Sequence, residues 1–557
     1  MKAAFIREWK RMDRNQKKWW QETVFYEIYM PSFCDGNGDG VGDFKGITSK
    51  LDYLKELGIG GIWLTPFYPS PKIDNGYDIS DYYAVDPDYG TMEDFNGFID
   101  EAHRQGIRVI VDLVLNHTSS AHAWFQESKS STLSPKRDWY IWKSPVRQEA
   151  PNNWESFFGG SAWEWDEGTG QYYYHAFAKE QVDLNWANPE VRQAMKDVMG
   201  FWLDKGIDGF RLDVINFLKV SSDFQDNPVD DNGEQIHQFD QNQDGIVEAI
   251  GDICRYVHER EGIFMVGEVG SEDLDILRRY SGSGLLDVVF NFNLGSQEQF
   301  RPEDLYREIK RMEDQHASDQ LPTLFFSSHD MQRHISRFGE GHTDLEEQRA
   351  KLMAALMLTA KGVPFIYYGD EIGMRNHIAH KIEDMRDIQG LNHYKVALQN
   401  GKTEEEAMDL ARAKSRDYSR SPMQWNGDRY GGFSEQAPWI GMGPGHEQIH
   451  VQAQREQPDS MYSFYKKLLS LRLRHAALSS GDYVRLEQLE GSAIAYTKRS
   501  GGEEAVIVLH FGDQPLLLDL SDWSGQRLEL AAASGEMASL GGSVIEVPPH
   551  TAAVWIS

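Results

Sequence analysis

The sequence predicts an α/β chain built on a (β/α)8 TIM barrel, with an inserted lobe after the third strand and an all-β sandwich at the C-terminus. Three observations carry this. Eight apolar, strand-like runs follow one another at 24–30, 59–65, 109–115, 209–214, 264–269, 286–292, 323–327 and 363–368. Amphipathic helical stretches lie between them, as at 92–105 and 189–205, and eight such alternations suit a closed parallel sheet. Four segments also end on an acidic residue, or on a histidine beside one: 109–117 (VIVDLVLNH), 209–214 (GFRLDV), 264–269 (FMVGEV) and 324–330 (LFFSSHD). Carboxylates at the C-terminal ends of parallel strands are how such a barrel builds an active site.

Taken in order, the barrel is expected over 1–117 and 187–475. Between them, 118–186 is rich in Trp, Tyr, Ser and Gly and lacks a clear helix period, which predicts the inserted lobe. A second excursion, 373–443, holds a helical stretch at 403–414 and the segment SRSPMQW. After a helix at 460–475 the pattern turns to short alternating strands with Gly turns, such as 493–498 and 505–511. That predicts a sandwich domain over 476–557. A chain of 557 residues exceeds one core and accommodates all three units.

A formal charge of −31 disfavours nucleic acid and anionic membrane surfaces, so a neutral substrate is expected. Cys34 and Cys254 are too few for a disulfide framework. Residues 1–20 carry charges where a signal peptide needs an apolar stretch, and no run of about 18 apolar residues exists to span a membrane. The expectation is a cytoplasmic protein, monomer or dimer, without a membrane partner.

The loop after the first strand, Asp35-x-Asn37-x-Asp39-Gly-x-Gly-Asp43, alternates oxygen ligands with glycines and predicts a structural Ca²⁺ site, completed by the Val41 carbonyl. Its twelfth position is Gly46, so it is not an EF-hand. A similar run, Asp240-x-Asn242-x-Asp244-Gly245, lacks the second glycine and closing acid and reads as a capped turn before a helix.

Arg211 and Asp213, two residues apart on a strand, point to the same side, and the Arg keeps the carboxylate ionised as a nucleophile requires. Glu268 ends an apolar run, where desolvation raises its pKa toward that of a general acid. His117 and His329, beside Asn116 and Asp330 at strand ends, are expected to contact substrate. Paired carboxylates of this kind suit glycosidic bond cleavage.

Together, DLVLNH (112–117), GFRLDVIN (209–216), VGEV (266–269) and SSHD (327–330) resemble the four signature regions of the α-amylase superfamily, glycoside hydrolase family 13. QVDLNW (181–186), DNGYDISDYY (74–83) and SRSPMQW (419–425) resemble its oligo-1,6-glucosidase and α-glucosidase branch. The resemblance implies Asp213 as nucleophile, Glu268 as acid/base and Asp330 as the third carboxylate. It implies sugar contacts by Arg211, His117 and His329, and a stacking platform at Tyr77. Asp74 and Arg420 match a pair that closes the pocket behind the terminal glucose, while Phe158, Phe177 and Gln181 match pocket walls. The Asp35–Asp43 loop matches the branch's calcium site.

Some positions depart from the family. Ser327, Ser328 and Met331 flank His329-Asp330 where other residues are usual, Val182 replaces a usual proline, and Val269-Gly270 follow the acid/base. Val214, after the nucleophile, matches the residue common in α-1,6-acting members. The expectation is therefore a retaining exo-α-glucosidase on short α-1,6-glucosides. The rivals are an α-1,4-preferring glucosidase or transglucosidase and a trehalose-6-phosphate hydrolase. Segment 291–299 lacks the Arg-Leu-Asp-Arg-Asp run of sucrose isomerases. A non-catalytic amylase-like transporter subunit is disfavoured, since this chain keeps its carboxylates and shows no anchor.

Overall fold

The computed structural model describes residues 18–317, 320–339, 342 and 344–557. Most of the N-terminal stretch read for targeting, residues 1–17, lies outside the described residues. The eight expected runs form β1 (Phe25–Ile28), β2 (Gly61–Leu64), β3 (Arg108–Val114), β4 (Gly209–Asp213), β5 (Phe264–Gly267), β6 (Val288–Val289), β7 (Thr323–Leu324) and β8 (Val363–Tyr367). They make one parallel sheet in the order β6-β5-β4-β3-β2-β1-β8-β7. Between β6 and β7 no ladder forms among the described residues. The Thr323 hydroxyl bridges the seam instead, donating to the Val289 carbonyl (3.3 Å) and accepting from the Asn291 amide (3.0 Å).

Each strand is shorter than its apolar run because the run continues into the turn that carries the functional end. Inside the barrel, Phe25 stacks between Phe264 and Phe365 at 4.9 Å on each side, a filled core rather than a pore. At Gly209 a Cβ would come within 2.1 Å of the Phe264 carbonyl oxygen, so a glycine lets β4 and β5 approach. Register then places Asp112 of β3 directly opposite Arg211 of β4.

The expected helices fold at Met92–Arg104, Pro189–Asp204, Ile246–Val257, Glu404–Lys414 and Met461–Arg474. Between β3 and β4, an antiparallel pair of His117–Ser119 with Gln181–Asp183 sits beside a three-stranded sheet of Trp142–Lys143, Gln171–Tyr174 and Trp163–Asp166. A helix, Ala123–Lys129, also forms here, and its period is too short to stand out in the aromatic-rich sequence. At the C-terminus, a five-stranded antiparallel sheet and a three-stranded one pack around Val506, Val508, Trp555, Leu516 and Val547.

The expected Ca²⁺ set, Asp35, Asn37, Asp39, Val41 and Asp43, is corrected by the structure. Among the described residues no group of three or more His, Cys, Asp or Glu could hold a metal ion. The loop's carboxylates turn onto its own amides. Asp35 accepts from the amides of Asn37, Gly38 and Gly40 and from the Ser434 hydroxyl. Asp39 accepts from the Val41 amide and the Asn37 side chain. Asp43 caps the helix Phe44–Thr48 through the Gly46 amide (2.7 Å) and also accepts from Gly36 and Asn37. Alternating oxygens and glycines thus describe a self-bonded turn as well as a calcium loop. Asp43→Ala should cost about 0.5–2 kcal/mol and lower the melting temperature in a thermal scan, with Asp43→Asn milder.

Candidate active site

At the C-terminal end of the barrel, Arg211 is buried among three carboxylates. Its guanidinium donates to both oxygens of Asp112 (2.9 and 3.0 Å) and to Asp213 (2.5 Å), and it pairs closely with Glu268. The Trp63 ring lies against it at 5.1 Å. These groups come from the ends of β2, β3, β4 and β5.

Electrostatics then separates the carboxylates. Burial raises Asp213 to about 6, opposed by Arg211 and reinforced by Asp112 and Asp330. Burial raises Glu268 to about 7 against the pull of Arg211. Burial also pushes Asp330 up, yet the charges of His329, Arg416 and Arg420 hold it well below the usual carboxylate range. His329 would be lowered by burial, but Asp330 and Glu27 reverse this and raise it to about 9. Its Nδ1 meets Glu27 at 2.5 Å and its Nε2 lies 3.2 Å from Asp330. His117 is lowered by burial to about 4 and is neutral.

Above these groups lies a cavity of about 400 Å³. All the expected catalytic and sugar-contact residues line it except Arg211, His329 and Arg420, which are buried beside it. The ladder His117–Ser119 with Gln181–Asp183 brings Gln181 to the cavity, where its amide donates to Asp74 (3.1 Å). Tyr77 donates to Asp112 (2.9 Å) and stacks on His329 with ring centres 5.3 Å apart. Val214 borders the cavity with φ +36° and ψ +48°, a left-handed conformation in which a β-branched residue is a strained outlier. A larger hollow of about 650 Å³, between Trp142 and Phe224, contains none of these carboxylates.

One expected pairing is corrected. Asp74 is held not by Arg420 but by Arg416, one helical turn earlier, at 2.5 Å. Arg416 is anchored by Asp387 (2.9 Å) and lies over the Phe158 ring at 5.2 Å. Arg420 instead donates to Asp330 (2.8 Å) and to the His329 carbonyl (2.9 Å). Sequence reasoning missed Glu27, Asp112, Arg416 and Asp387. The first two were visible as acids within apolar strand runs, and Arg416 as the first arginine of SRDYSR.

Residues 27–481 match the alpha amylase catalytic domain family, and the chain belongs to that family. It is an enzyme of the glycoside hydrolase class. It is 40% identical over 532 residues to the oligo-1,6-glucosidase of Parageobacillus thermoglucosidasius, covering 91% of this chain and 93% of that one. It is 38% identical over 520 residues to the trehalose-6-phosphate hydrolase of Bacillus subtilis (strain 168), covering 90% and 91%. A solved isomaltulose synthase variant from Erwinia rhapontici, bound to sucrose, superposes with a TM-score of 0.88 at 34% identity, over 97% of this chain and 99% of that one. Among the described residues no helix is long and apolar enough to cross a membrane.

Removing the central cation leaves three acids without a counter-charge. Arg211→Met should therefore destabilise the fold by about 3–5 kcal/mol in chemical denaturation, and the loss should shrink at low pH as the acids protonate.

Proposed function

We propose that the chain is a retaining exo-α-glucosidase that releases glucose from the non-reducing end of short α-glucosides, preferring α-1,6 bonds. One observation carries this: Asp213, Glu268 and Asp330 line a single cavity, at whose wall Asp74 and Arg416 form a buried ion pair. In this reading the terminal glucose lies against Tyr77, with Asp74 and Arg416 gripping its far hydroxyls. Glu268, protonated, gives its proton to the leaving oxygen while Asp213 attacks the anomeric carbon. Asp330, ionised, holds the sugar hydroxyls. Water or a second sugar then takes the glucosyl group, with Glu268 as base. Residues 118–186 act as a lobe walling the pocket and 476–557 as a separate domain. The buried free thiols of Cys34 and Cys254 support a cytoplasmic setting.

A second reading, hydrolysis of a phosphorylated disaccharide, is favoured by Lys414. It lines the cavity, is exposed, and forms no ion pair among the described residues, so it offers a phosphate its counter-charge.

The protonation order sets the pH dependence. Activity should rise as pH passes about 6, where Asp213 ionises, and fall above about 7, where Glu268 loses its proton. A kcat/KM profile that keeps rising at higher pH contradicts the assignment of Glu268.

Initial rates on isomaltose, maltose, sucrose, trehalose and trehalose-6-phosphate decide the substrate, and NMR of early product should show the α-anomer first. Val214 crowds one approach of the second sugar and is stiff at χ1. Val214→Thr adds a hydroxyl at nearly constant volume, so the isomaltose-to-maltose ratio of kcat/KM should fall about tenfold. A wild-type preference for maltose overturns the linkage reading.

A further inference from the structure

Behind the aromatic wall of the catalytic cavity lies a second chamber of about 470 Å³. Phe158 and Phe177 belong to the lining of both, so one layer of rings separates the two spaces. The helix Ile388–Gln399 lines the chamber through Asn392 and the exposed Lys395. Its volume falls in the range of about 300–1,000 Å³ typical of small-ligand pockets. The proposed reaction has no use for it.

The chamber's chemistry suits a sugar. Phe158, Phe177 and Trp163 supply apolar rings. His175 lines the space with a fixed tautomer: its Nδ1 donates to the Phe177 carbonyl (2.8 Å), which leaves Nε2 as an acceptor. Burial lowers this histidine to about 4, so it stays neutral. Among the described residues, the Asn392 amide and the Lys395 ammonium meet no side-chain partner. Two acids, Glu164 and Glu180, and two cations, Lys179 and Lys395, line the space, with Glu164 and Lys179 paired at 3.6 Å, so its formal charge is balanced and it has no strong preference for an ion. Ring faces beside unpaired donors and a neutral acceptor match the mixed faces of an uncharged hexose better than a phosphate or an acyl chain.

We propose that this chamber is a second sugar site that holds one neutral hexose, separated from the catalytic cavity by Phe158 and Phe177. Glucose is the natural occupant, because the proposed reaction releases it on the other side of that wall. The choice of glucose rests on the glucosidase reading, whereas the site itself does not.

Equilibrium dialysis of the full-length enzyme against labelled glucose tests both by counting. Wild type should bind two glucose molecules per chain. Asn392→Trp, which fills the chamber from a residue outside the catalytic cavity, should bind one. Asp74→Ala, which disables the catalytic cavity, should also bind one. Equal counts for wild type and Asn392→Trp overturn the second site. Loss of one glucose in Asn392→Trp but none in Asp74→Ala keeps the chamber and removes the glucoside reading of the catalytic cavity. If Asn392→Trp does not fold, Lys395→Trp, at an exposed position on the same helix, makes the same comparison.

Discussion

Everything at the catalytic end of the barrel depends on one buried guanidinium. Arg211 holds Asp112, Asp213 and Glu268 at once, and three carboxylates could not share that space without a cation among them. A planar group with five donors serves better than an ammonium, since it bonds several carboxylates in fixed directions. The cation does not make the acids alike. Asp213 and Glu268 both rise above ordinary carboxylates, Glu268 further, so a pH window exists in which one is ionised and the other is not. A division of labour between acid and nucleophile needs such a window.

The arrangement repeats one layer out. Glu27 on β1 supports the cationic His329, which faces Asp330. Asp387 anchors Arg416, which reaches Asp74 on one side and Asp330 on the other. Each acid that faces the cavity is thus backed by a cation, and the cation in turn by a further acid from a different part of the chain. Rigid strand ends set the inner layer, and β1 together with the loops sets the outer one. This suits a scaffold that keeps its chemistry while its pocket walls vary.

Much of this was legible in the sequence. The strand runs, the order of elements and the catalytic carboxylates could be read from apolar runs ending in acids, and the rest of the cavity lining from the resemblance of its motifs to family 13. What could not be read depended on three-dimensional direction. Arg416 and Arg420 are one turn apart in SRDYSR, and only the short helical turn Arg416–Ser419 decides which of them faces Asp74. Glu27 sits in a run as apolar as the other strands, and its partner is 302 positions away. The Asp35–Asp43 loop misled for a different reason. Calcium and a chain of backbone amides ask for the same spacing of oxygens, and the amides are always present at high local concentration.

The seam between β6 and β7 bears on how the barrel opens. Every other neighbouring pair is joined by a parallel ladder, while among the described residues this one is bridged by a threonine hydroxyl and by the edge-to-face contacts of Phe325 with Phe290 and Phe292. Local opening starts where few backbone bonds must break. The staves on either side of Thr323 therefore form the weakest link of the cylinder, and amide exchange should spread from there before it reaches β3 and β4. Because β7 runs on into the segment carrying His329 and Asp330, opening the seam would disengage the third carboxylate while the other two remained bound to Arg211.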